Sequence, residues 1–293
     1  MGARDFLIMV AVCAIWGLNN IVSKLVVSTW DVPPLFYASV RFALVLLLAL
    51  PWVLPLPRPL WRIVMVGLCM GAGSFGLMFV GLTTSSPSAA AVVVQAGVPV
   101  TTLLSIVVLG ERIHWRRWLG IALTLLGVLA VIWKPGFAVS TGLLFVFASA
   151  VTSSIGAILM KQMPGIAPLR FQAWVALSSF VALAAASAVG ESGQWGAATA
   201  AGWPFVAAVV FSAAVVSVGA HTAYYGLIAR HEANLIAPLT LMTPLATIAL
   251  GVTITGDQLD AHMIAGTALA LLGVLIIAVR RTGAPVVEAQ QRA

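Results

Sequence analysis

A ten-residue apolar stretch occurs twice in this chain, and its repetition constrains the fold more than any other feature. Residues 120–129 read GIALTLLGVL and residues 266–275 read GTALALLGVL, so eight of the ten positions are identical at an offset of 146. A glycine and an acidic residue precede both copies, as Gly110-Glu111 and Gly256-Asp257. Repetition at a fixed offset is typical of a duplicated structural unit. The chain is therefore predicted to consist of two homologous halves.

The composition identifies lipid as the main solvent of this chain. Hydrophobic residues make up 61% of it and charged residues 8%, whereas roughly 25% of the residues in an ordinary soluble domain are charged. A folded chain of 293 residues exposes more surface than so few polar side chains can cover. Cys13 and Cys69 lie within apolar runs, where cysteine behaves as a small hydrophobic residue, so no disulfide is predicted.

Ten continuous apolar segments follow one another with short polar links between them. Because they do not alternate between apolar and polar residues, they favour transmembrane helices over a β-barrel. The first segment could also be a signal peptide, but no small-residue cleavage site follows it, so it is interpreted as the first membrane helix. The polar tail 282–293 is predicted to be disordered. The predicted fold is all-α and integral to the membrane, with helices at about 5–27, 35–54, 61–82, 87–109, 115–134, 141–160, 168–190, 203–229, 234–255 and 260–280.

The basic residues indicate the orientation in the membrane. The net charge is +7, but these residues lie at segment ends and not on one clustered face, so no nucleic-acid partner is expected. If the amino terminus is cytoplasmic, only Lys24, Arg41 and Lys134 of the fifteen lysines and arginines lie toward the outside. This bias predicts an inner (plasma) membrane protein with both termini in the cytoplasm. The twelve basic residues on the cytoplasmic side are Arg4, Arg58, Arg62, Arg112, Arg116, Arg117, Lys161, Arg170, Arg230, Arg280, Arg281 and Arg292.

Five helices in each half have a topological consequence. Because five is odd, the second half must insert upside down relative to the first, which predicts two inverted-topology repeats at 1–139 and 140–281. The correspondence extends to Pro99 and Pro244, which are related by an offset of 145. Inverted repeats place the substrate site at their interface near the middle of the membrane and alternate its access between the two sides.

These features resemble the drug/metabolite transporter superfamily, EamA type. The resemblance rests on a membrane proline, a Gly-acid pair and a Gly-x6-Gly helix in each half, and on the early residues 16–20 (WGLNN) with Lys24 and Arg41. Asp257 stands where this family usually has glutamate. Within the family the chain is most like the YddG-type exporters of aromatic and other neutral amino acids. The resemblance implies ten helices and a pathway lined mainly by the first, third, fourth, sixth, eighth and ninth.

The eighth segment carries a polar and aromatic face. Ser217, His221, Tyr224 and Tyr225 are spaced at i, i+4, i+7 and i+8, so they share one side of a helix. A titratable side chain two turns inside the membrane requires a cavity or a partner, and the tyrosines would suit an aromatic or amphipathic ligand. His221, Tyr224 and Tyr225 are therefore candidate substrate-binding residues. The alternative is that His221 bonds a neighbouring helix and the tyrosines belong to an interfacial belt.

Phe75 and Phe79 are spaced at i and i+4 on the third segment, in the part that corresponds to His221 and Tyr224 of the second half. They are predicted to supply an apolar wall opposite the histidine. Core or lipid-facing packing is the alternative.

Two prolines lie within membrane segments of corresponding position. Gln95 precedes Pro99 by four residues and Thr240 precedes Pro244 by four. A proline removes a backbone donor, which frees a carbonyl on the preceding turn and kinks the helix. Gln95 and Thr240 are therefore predicted to face the substrate at matching depths, with the prolines as kinks. A kink that serves packing alone is the alternative.

Polar residues also form a stripe on the first helix. Trp16, Asn19, Asn20 and Ser23 are spaced at i, i+3, i+4 and i+7, so they must face protein or water and not lipid tails. Trp16, Asn19 and Asn20 are candidates for substrate binding, with interhelical hydrogen bonding as an equal alternative.

Three basic residues are predicted to have structural roles. Lys24 and Lys161 each end the first helix of a half, where snorkelling to the interface accounts for them. Arg41 lies deeper in the membrane and requires a partner. A structural bond is favoured over a substrate contact for Arg41.

The absence of membrane carboxylates bears on the mechanism. All eight carboxylates lie in predicted loops, tails or helix ends, which argues against the exchange of cationic drugs for protons. Alternating access without ion coupling (uniport) of small neutral metabolites is favoured, with proton exchange through His221 as second choice. Export of other metabolites or cationic drugs, a channel, and a lipid-modifying enzyme are the alternatives. We expect no enzymatic activity, no cofactor, no metal and a monomer.

Overall fold

The structure is a computed structural model that describes residues 1–134, 138–163, 166–231, 236 and 238–279. Nine helices in this described part are long and apolar enough to cross a membrane, and α9 is a shorter apolar helix. The predicted tail 282–293 lies outside the described residues, as do 234, 235 and 237 of the predicted ninth segment. The helices are α1 (Ala3–Thr29), α2 (Pro34–Trp52), α3 (Leu60–Thr84), α4 (Pro87–Leu109), α5 (Trp115–Ile132), α6 (Thr141–Lys161), α7 (Pro168–Gly190), α8 (Gln194–Val210, Phe211–Ala220 and His221–Arg230), α9 (Met242–Thr255) and α10 (Ala261–Ala278).

The predicted all-helical membrane architecture is confirmed for the described residues, apart from one short pair of strands. Strands β1 (Trp133–Lys134) and β2 (Ala138–Val139) pair antiparallel between α5 and α6. Their pairing brings the end of α5 and the start of α6 close together, and thus connects the two halves of the chain.

The repeated glycine before each acidic residue ends a helix. Gly110 follows α4 and Gly256 follows α9, and both adopt a left-handed backbone conformation with φ of 68°. Glycine tolerates this conformation because it has no Cβ atom, and it satisfies the last carbonyls of a helix. The Gly-acid pair is thus a helix-ending signal that places Glu111 and Asp257 just beyond the ends of α4 and α9.

The start of α8 differs from the prediction. The sequence predicts a helix that begins at 203 after a loop, whereas the structure is helical from Gln194 onward. Gly202, with φ of 60° and ψ of −139°, breaks the helix into two pieces. Trp195 and Trp203 are 74% and 76% exposed, as expected for tryptophans at a membrane surface. Gly202 therefore marks a kink within a helical region and not the end of a loop.

Two of the four π-helical segments in the described residues occupy corresponding positions in the two halves. One spans Leu68–Gly73 in α3, and the other spans Phe211–Ala220 in α8. The offset of 145 places residues 68–73 on residues 213–218. π-Helical turns are rare and are found frequently at functional sites. Both segments lead directly into candidate site residues, Phe75 in α3 and His221 in α8.

The repeated stretch forms the contact between α5 and α10. Gly120 lies against the carbonyl of Gly273, and Gly127 lies against the carbonyl of Gly266. A glycine near the start of each helix thus meets a glycine further along the other helix, so the two helices are antiparallel. A Cβ atom on Gly120 would lie 2.8 Å from the Gly273 carbonyl oxygen. The glycines permit a close approach of two helix backbones, as small residues do in membrane helix pairs.

The remaining helix contacts form matched pairs. α2 packs on α7, just as α5 packs on α10. α6 packs against α3 and α4, and α1 packs against α8 and α9. If each helix is replaced by the helix five places along, this set of contacts is reproduced.

Candidate functional site

A cavity of about 630 Å³ lies between α3, α4 and α6. It extends from the middle of α3 to the ends of α4 and α6. Helices α1, α5 and α10 contribute one residue each. The lining residues are Asn20, Ser74, Phe75, Met78, Val94, Gly97, Val98, Thr101, Thr102, Ser105, Glu111, Arg117, Ser149, Ala150, Ser153, Ser154, Ala157, Lys161 and Ile277.

The walls of the cavity combine hydroxyl groups with apolar surface. Thr101 and Ser105 are one turn apart on α4, and Ser149 and Ser153 are one turn apart on α6. The Ser154 hydroxyl contacts the Gly97 carbonyl at 3.0 Å, which joins the two helices. Side chains at a spacing of four project from the same helix face, so each helix presents a polar stripe. Such walls suit a small molecule with both polar and apolar parts.

Charged residues mark the open end of the cavity. Lys161 Nζ lies 3.6 Å from Glu111 Oε1, and these side chains are 48% and 45% exposed. Lys161 also donates to the Ser105 hydroxyl at 3.3 Å, and Arg117 completes this charged end. Exposed ion pairs contribute little to stability, in general about 0–1 kcal/mol. The pair therefore does not seal this end of the cavity strongly.

Helices at the opposite end of the molecule are joined by hydrogen bonds to charged groups. Lys24 Nζ donates to the Leu82 carbonyl at 2.8 Å, which connects α1 to α3. The Ser88 amide donates to Asp257 Oδ2 at 2.9 Å, which connects the start of α4 to the end of α9. An anion at a helix amino terminus is stabilised by the free amides there. These bonds join α1 to α3 and α4 to α9 at this end of the molecule.

Phe75 on α3 forms part of the cavity wall. Its ring lies edge-on to Phe42 at 5.4 Å and to Phe79 at 6.0 Å. The Arg41 guanidinium carbon lies 4.5 Å from the centroid of the Phe75 ring. Asn20, which also lines the cavity, donates from Nδ2 to the Thr247 hydroxyl at 3.1 Å. Of the predicted substrate-binding residues, Phe75 and Asn20 line this cavity.

The polar face of α8 meets α1 in an aromatic cluster. Trp16 lies 5.2 Å from His221 and 5.0 Å from Tyr224 between ring centroids. His221 Nδ1 contacts the Val216 carbonyl at 2.8 Å, and because a carbonyl only accepts, Nδ1 carries the hydrogen in this contact. The side chain of Tyr225 lies outside what the structure describes. The structure thus brings Trp16, His221 and Tyr224 together.

The helices around the cavity differ from those that the family resemblance implied. Helices α8 and α9 contribute no residue to the cavity lining in the described part of the chain, whereas α5 and α10 contribute Arg117 and Ile277. The reason is that α8 and α9 pack directly against α1. The aromatic cluster fills the space on that side.

Arg41 is fully buried. Its Nη2 and Nε atoms donate to the Ser217 hydroxyl at 3.0 and 3.4 Å. Gln172 on α7 donates to the Ser217 carbonyl at 3.2 Å. Ser217, the partner of Arg41, and His221 thus lie on successive turns of α8, because they are four residues apart. Arg41 is separated from the cavity by Phe75.

Other predicted site residues lie away from the cavity. Phe79 is 2% exposed and stacks on Tyr37 at 4.9 Å, within the core. Asn19 is also buried and accepts a hydrogen bond from Ser212 at 2.9 Å. Gln95 lies in the 3-10 turn Val94–Ala96, which interrupts α4 before the buried Pro99. Thr240 lies in the turn before α9, and Pro244 is buried in its first turn.

Sequence reasoning did not select the polar stripe on α6. Ser149 and Ser153 are spaced by four residues, and the same register continues through Ala157 to Lys161. A polar stripe that ends in a basic residue could have indicated this wall of the cavity. Serines can also be satisfied by the carbonyl one turn earlier, as Ser154 is at Ala150, so the stripe alone is a weak signal.

The described residues contain no group of three or more histidine, cysteine or acidic side chains that could hold a metal ion. The Lys161–Glu111 pair is exposed, and His221 contacts a carbonyl and an aromatic ring. What the arrangement can do is bind a small molecule by hydroxyl groups, by apolar surface and by the charges at its open end.

Comparison with known proteins gives a consistent result over nearly the whole chain. The model of the EamA-like transporter family matches residues 5–133 and 140–279. A probable amino-acid metabolite efflux pump of Salmonella typhimurium strain LT2 is 27% identical, over 96% of this chain and 98% of that protein. Its namesake from Escherichia coli strain K12 is 26% identical, over 94% of this chain and 95% of that protein.

Further relatives match with similar coverage or over one part of the chain. The uncharacterized transporter YvbV of Bacillus subtilis strain 168 is 25% identical, over 94% of this chain and 91% of that protein. The uncharacterized inner membrane transporter YedA of Escherichia coli strain K12 is 34% identical, over 41% of this chain and 40% of that protein. One protein crystal structure has 18% identity and a TM-score of 0.59, and the match covers 94% of this chain and 98% of that one. This likeness shows a shared fold.

Proposed function

Because the chain belongs to the EamA-like transporter family, we propose that it exports small neutral or aromatic metabolites, amino acids foremost, across the inner membrane. The chain is a multi-pass membrane transporter and not an enzyme.

The proposed architecture is ten transmembrane helices in two inverted repeats, 1–139 and 140–281. The two family matches, 5–133 and 140–279, support this division. The antiparallel contact of α5 with α10, in which Gly120 meets Gly273 and Gly127 meets Gly266, is what a two-fold axis in the membrane plane would produce. The matched helix contacts and the paired π-helical segments agree with it.

The observation that carries the proposed function is a cavity that is open at one end of the molecule, while hydrogen bonds join helices at the other end. The charged end of the cavity, with Glu111, Arg117 and Lys161, lies on the side that the basic residues assign to the cytoplasm. Lys24 and Asp257 join helices on the opposite side. This conformation is therefore cytoplasm-open, which is the state in which an exporter loads its substrate.

The walls and size of the cavity favour a small neutral substrate. A volume of about 630 Å³ is within the roughly 300–1,000 Å³ of small-molecule sites. Hydroxyl groups from α4 and α6 and the Phe75 ring offer polar and aromatic contacts. The two relatives named as amino-acid metabolite efflux pumps match almost end to end, which favours amino acids. A single chain forms the whole cavity, so a monomer is sufficient.

Alternating access is proposed to transfer the site from the first half to the second. Opening on the outer side would separate α1, α8 and α9 at Trp16, His221 and Tyr224, which correspond by the repeat to the helices around the present cavity. Uniport is favoured, because the one carboxylate among the described lining residues, Glu111, is at the exposed end and is paired with Lys161. A cation-proton exchanger requires a carboxylate deep in the membrane.

Counterflow in liposomes tests the proposed function. Purified protein in preloaded vesicles is offered neutral amino acids, quaternary ammonium cations and phosphorylated metabolites. The proposal predicts exchange of neutral amino acids, with aromatic ones among the best, and flux that persists after the proton gradient is collapsed. Exchange confined to cations or to phosphorylated metabolites would refute the substrate class. Flux abolished by a protonophore would refute uniport, and single-channel currents would indicate a channel.

A further inference from the structure

A cation without a counter-ion among the described residues, Arg41, contacts the ring of Phe75, which lines the cavity. Arg41 has no accessible surface, and its Nη1 atom has no hydrogen-bond partner. The ion pairs of the described residues involve Asp5 and Glu111, and neither acid pairs with Arg41. The two acids outside the described part, Glu232 and Glu288, follow α8 and α10 in sequence. Removing a guanidinium from water without a counter-charge is strongly unfavourable.

The observed bonds of Arg41 do not require a charged residue. Its partner, the Ser217 hydroxyl, already donates to the Ser212 carbonyl at 3.0 Å. A neutral side chain could donate to the Ser217 oxygen equally well, without the cost of a buried charge. The Phe75 ring face below the guanidinium compensates in part, since the face of an aromatic ring attracts a cation. The arginine therefore has a binding capacity that the chain itself does not use.

Phe75 is the element that separates this cation from the cavity. One face of its ring lies beneath Arg41, and the same side chain lines the cavity. A second buried donor without a partner is Trp16 Nε1 on α1. The Trp16 ring contacts His221, which lies one turn from Ser217 on α8. Both unused groups donate hydrogen bonds, so their complement is an acceptor with negative charge. A planar guanidinium matches a carboxylate in particular.

We propose that Arg41 binds the carboxylate of the transported molecule once the Phe75 ring swings aside. The substrate is thereby a small molecule with one carboxylate and no net charge, such as a zwitterionic amino acid. Phe75 shields the cation while the cavity is empty and contacts the substrate when it is bound. This inference deepens the proposed export function and rests on it, because it assigns the chemical group that the site recognises.

Binding of an amino acid and of its methyl ester to the purified protein tests this role. The probes are L-phenylalanine and its methyl ester, which lacks the carboxylate charge, measured by calorimetry in detergent. If counterflow selects another neutral amino acid, that one and its ester replace them. The wild type is expected to prefer the acid. Arg41→Met is expected to weaken acid binding on the order of 100-fold and to leave ester binding nearly unchanged, because loss of one partner of a buried charge pair leaves the other charge without a partner.

A matched control and a stability measurement distinguish binding from support of the fold. Arg62 also lies over an aromatic ring, 5.3 Å from Trp61, and donates to a carbonyl, but it is only half-buried. Arg62→Met should leave the preference for the acid unchanged. Arg41→Met should not lower the thermal midpoint, because an unpaired buried charge is removed. If Arg41→Met does not yield a monodisperse protein, Arg41→Lys takes its place, with a smaller loss of acid binding expected.

Phe75→Ala provides an independent test. Removal of the ring exposes Arg41 to the cavity, so acid binding should strengthen relative to ester binding. Equal weakening of acid and ester by Arg41→Met, or an unchanged preference for the acid, would overturn the inference while wild-type counterflow still supports export. Absence of amino-acid counterflow in the wild type would refute the proposed function itself.

Discussion

Ser153 and Ile155 are two positions apart on α6 but face different surroundings. Ser153 lines the cavity, whereas Ile155 is 40% exposed on the outside of the helix. Because a helix turns by about 100° per residue, side chains two positions apart point to nearly opposite sides of the helix. If the cavity is the transport pathway, the same large substitution should have different consequences at these two positions.

Ser153→Trp is expected to reduce amino-acid counterflow at least about tenfold, because the indole occupies volume that the substrate needs. Ile155→Trp is the control and should retain near wild-type flux, since lipid accommodates the larger side chain. Initial counterflow rates at matched protein density are the measurement. Similar rates for the two variants would argue that the cavity is not the transport pathway.

His221 belongs to the surface that we propose forms the site when the molecule opens on the outer side. Its Nδ1–H is held by the Val216 carbonyl at 2.8 Å, and its ring packs on Trp16. His221→Ala should slow counterflow on the order of tenfold, because the aromatic and polar contacts of the outward-open site are lost. His262→Ala, which alters an exposed histidine at the start of α10, should have no effect. Unchanged flux in His221→Ala would restrict the cluster to a packing role.

Two acidic residues three positions apart make similar hydrogen bonds, one to another helix and one within its own helix. Asp257 accepts from the Ser88 amide and so joins α9 to α4. Asp260 accepts from the Met263 amide at 2.7 Å and caps only its own helix, α10. Both are charged helix-terminal caps, but only Asp257 connects helices of the two halves. It is therefore the bond that we expect to hold the outer end closed.

Asp257→Ala is expected to shift the molecule toward the outward-open state. A hydrogen bond to a charged group contributes about 1.5–3 kcal/mol, which corresponds to a population change of roughly 10- to 100-fold. Distances between spin labels on the outer ends of α4 and α9 should lengthen in this variant. Asp260→Ala should leave the distances unchanged. Equal distances in Asp257→Ala and the wild type would show that this cap does not hold the outer end closed.

Much of the helical frame could be predicted from the sequence, because it depends on local signals. Continuous apolar runs gave the spans, and the repeated Gly110-Glu111 and Gly256-Asp257 marked two helix ends where φ is 68°. The helix that begins at Gln194 was missed, because Gln194 and its neighbours resemble a loop in composition. Local signals do not specify which side of a kink remains helical.

The candidate site was predicted less completely, because it depends on contacts between helices and on the conformational state. Phe75 and Asn20 were selected and line the cavity, whereas Ser153 was not selected. Phe79 was paired with Phe75 by spacing, yet it stacks on Tyr37 in the core. A stripe on a helix indicates that it meets something. Whether a cavity or another side chain lies there is decided by the packing of distant segments.

For the molecule as a whole, we propose that the two halves are in different states. The end of α4 and the end of α6 border an open cavity at Glu111 and Lys161. Their counterparts in the repeat, Asp257 and Lys24, lie at the opposite end, where they bond the Ser88 amide and the Leu82 carbonyl. Two similar halves in unlike arrangements are what alternating access requires, since exchange of the arrangements opens the other side.

The central claim is that the cavity is open to the cytoplasm and receives the exported molecule there. The most direct measurement uses Thr101→Cys, a lining position on α4, in a chain with Cys13 and Cys69 replaced by alanine. A membrane-impermeant thiol reagent is applied to inside-out and to right-side-out vesicles. We predict faster labelling from the cytoplasmic face, slowed by an excess of the transported amino acid. Equal or faster labelling from the outer face, or labelling that the amino acid leaves unchanged, would contradict the account.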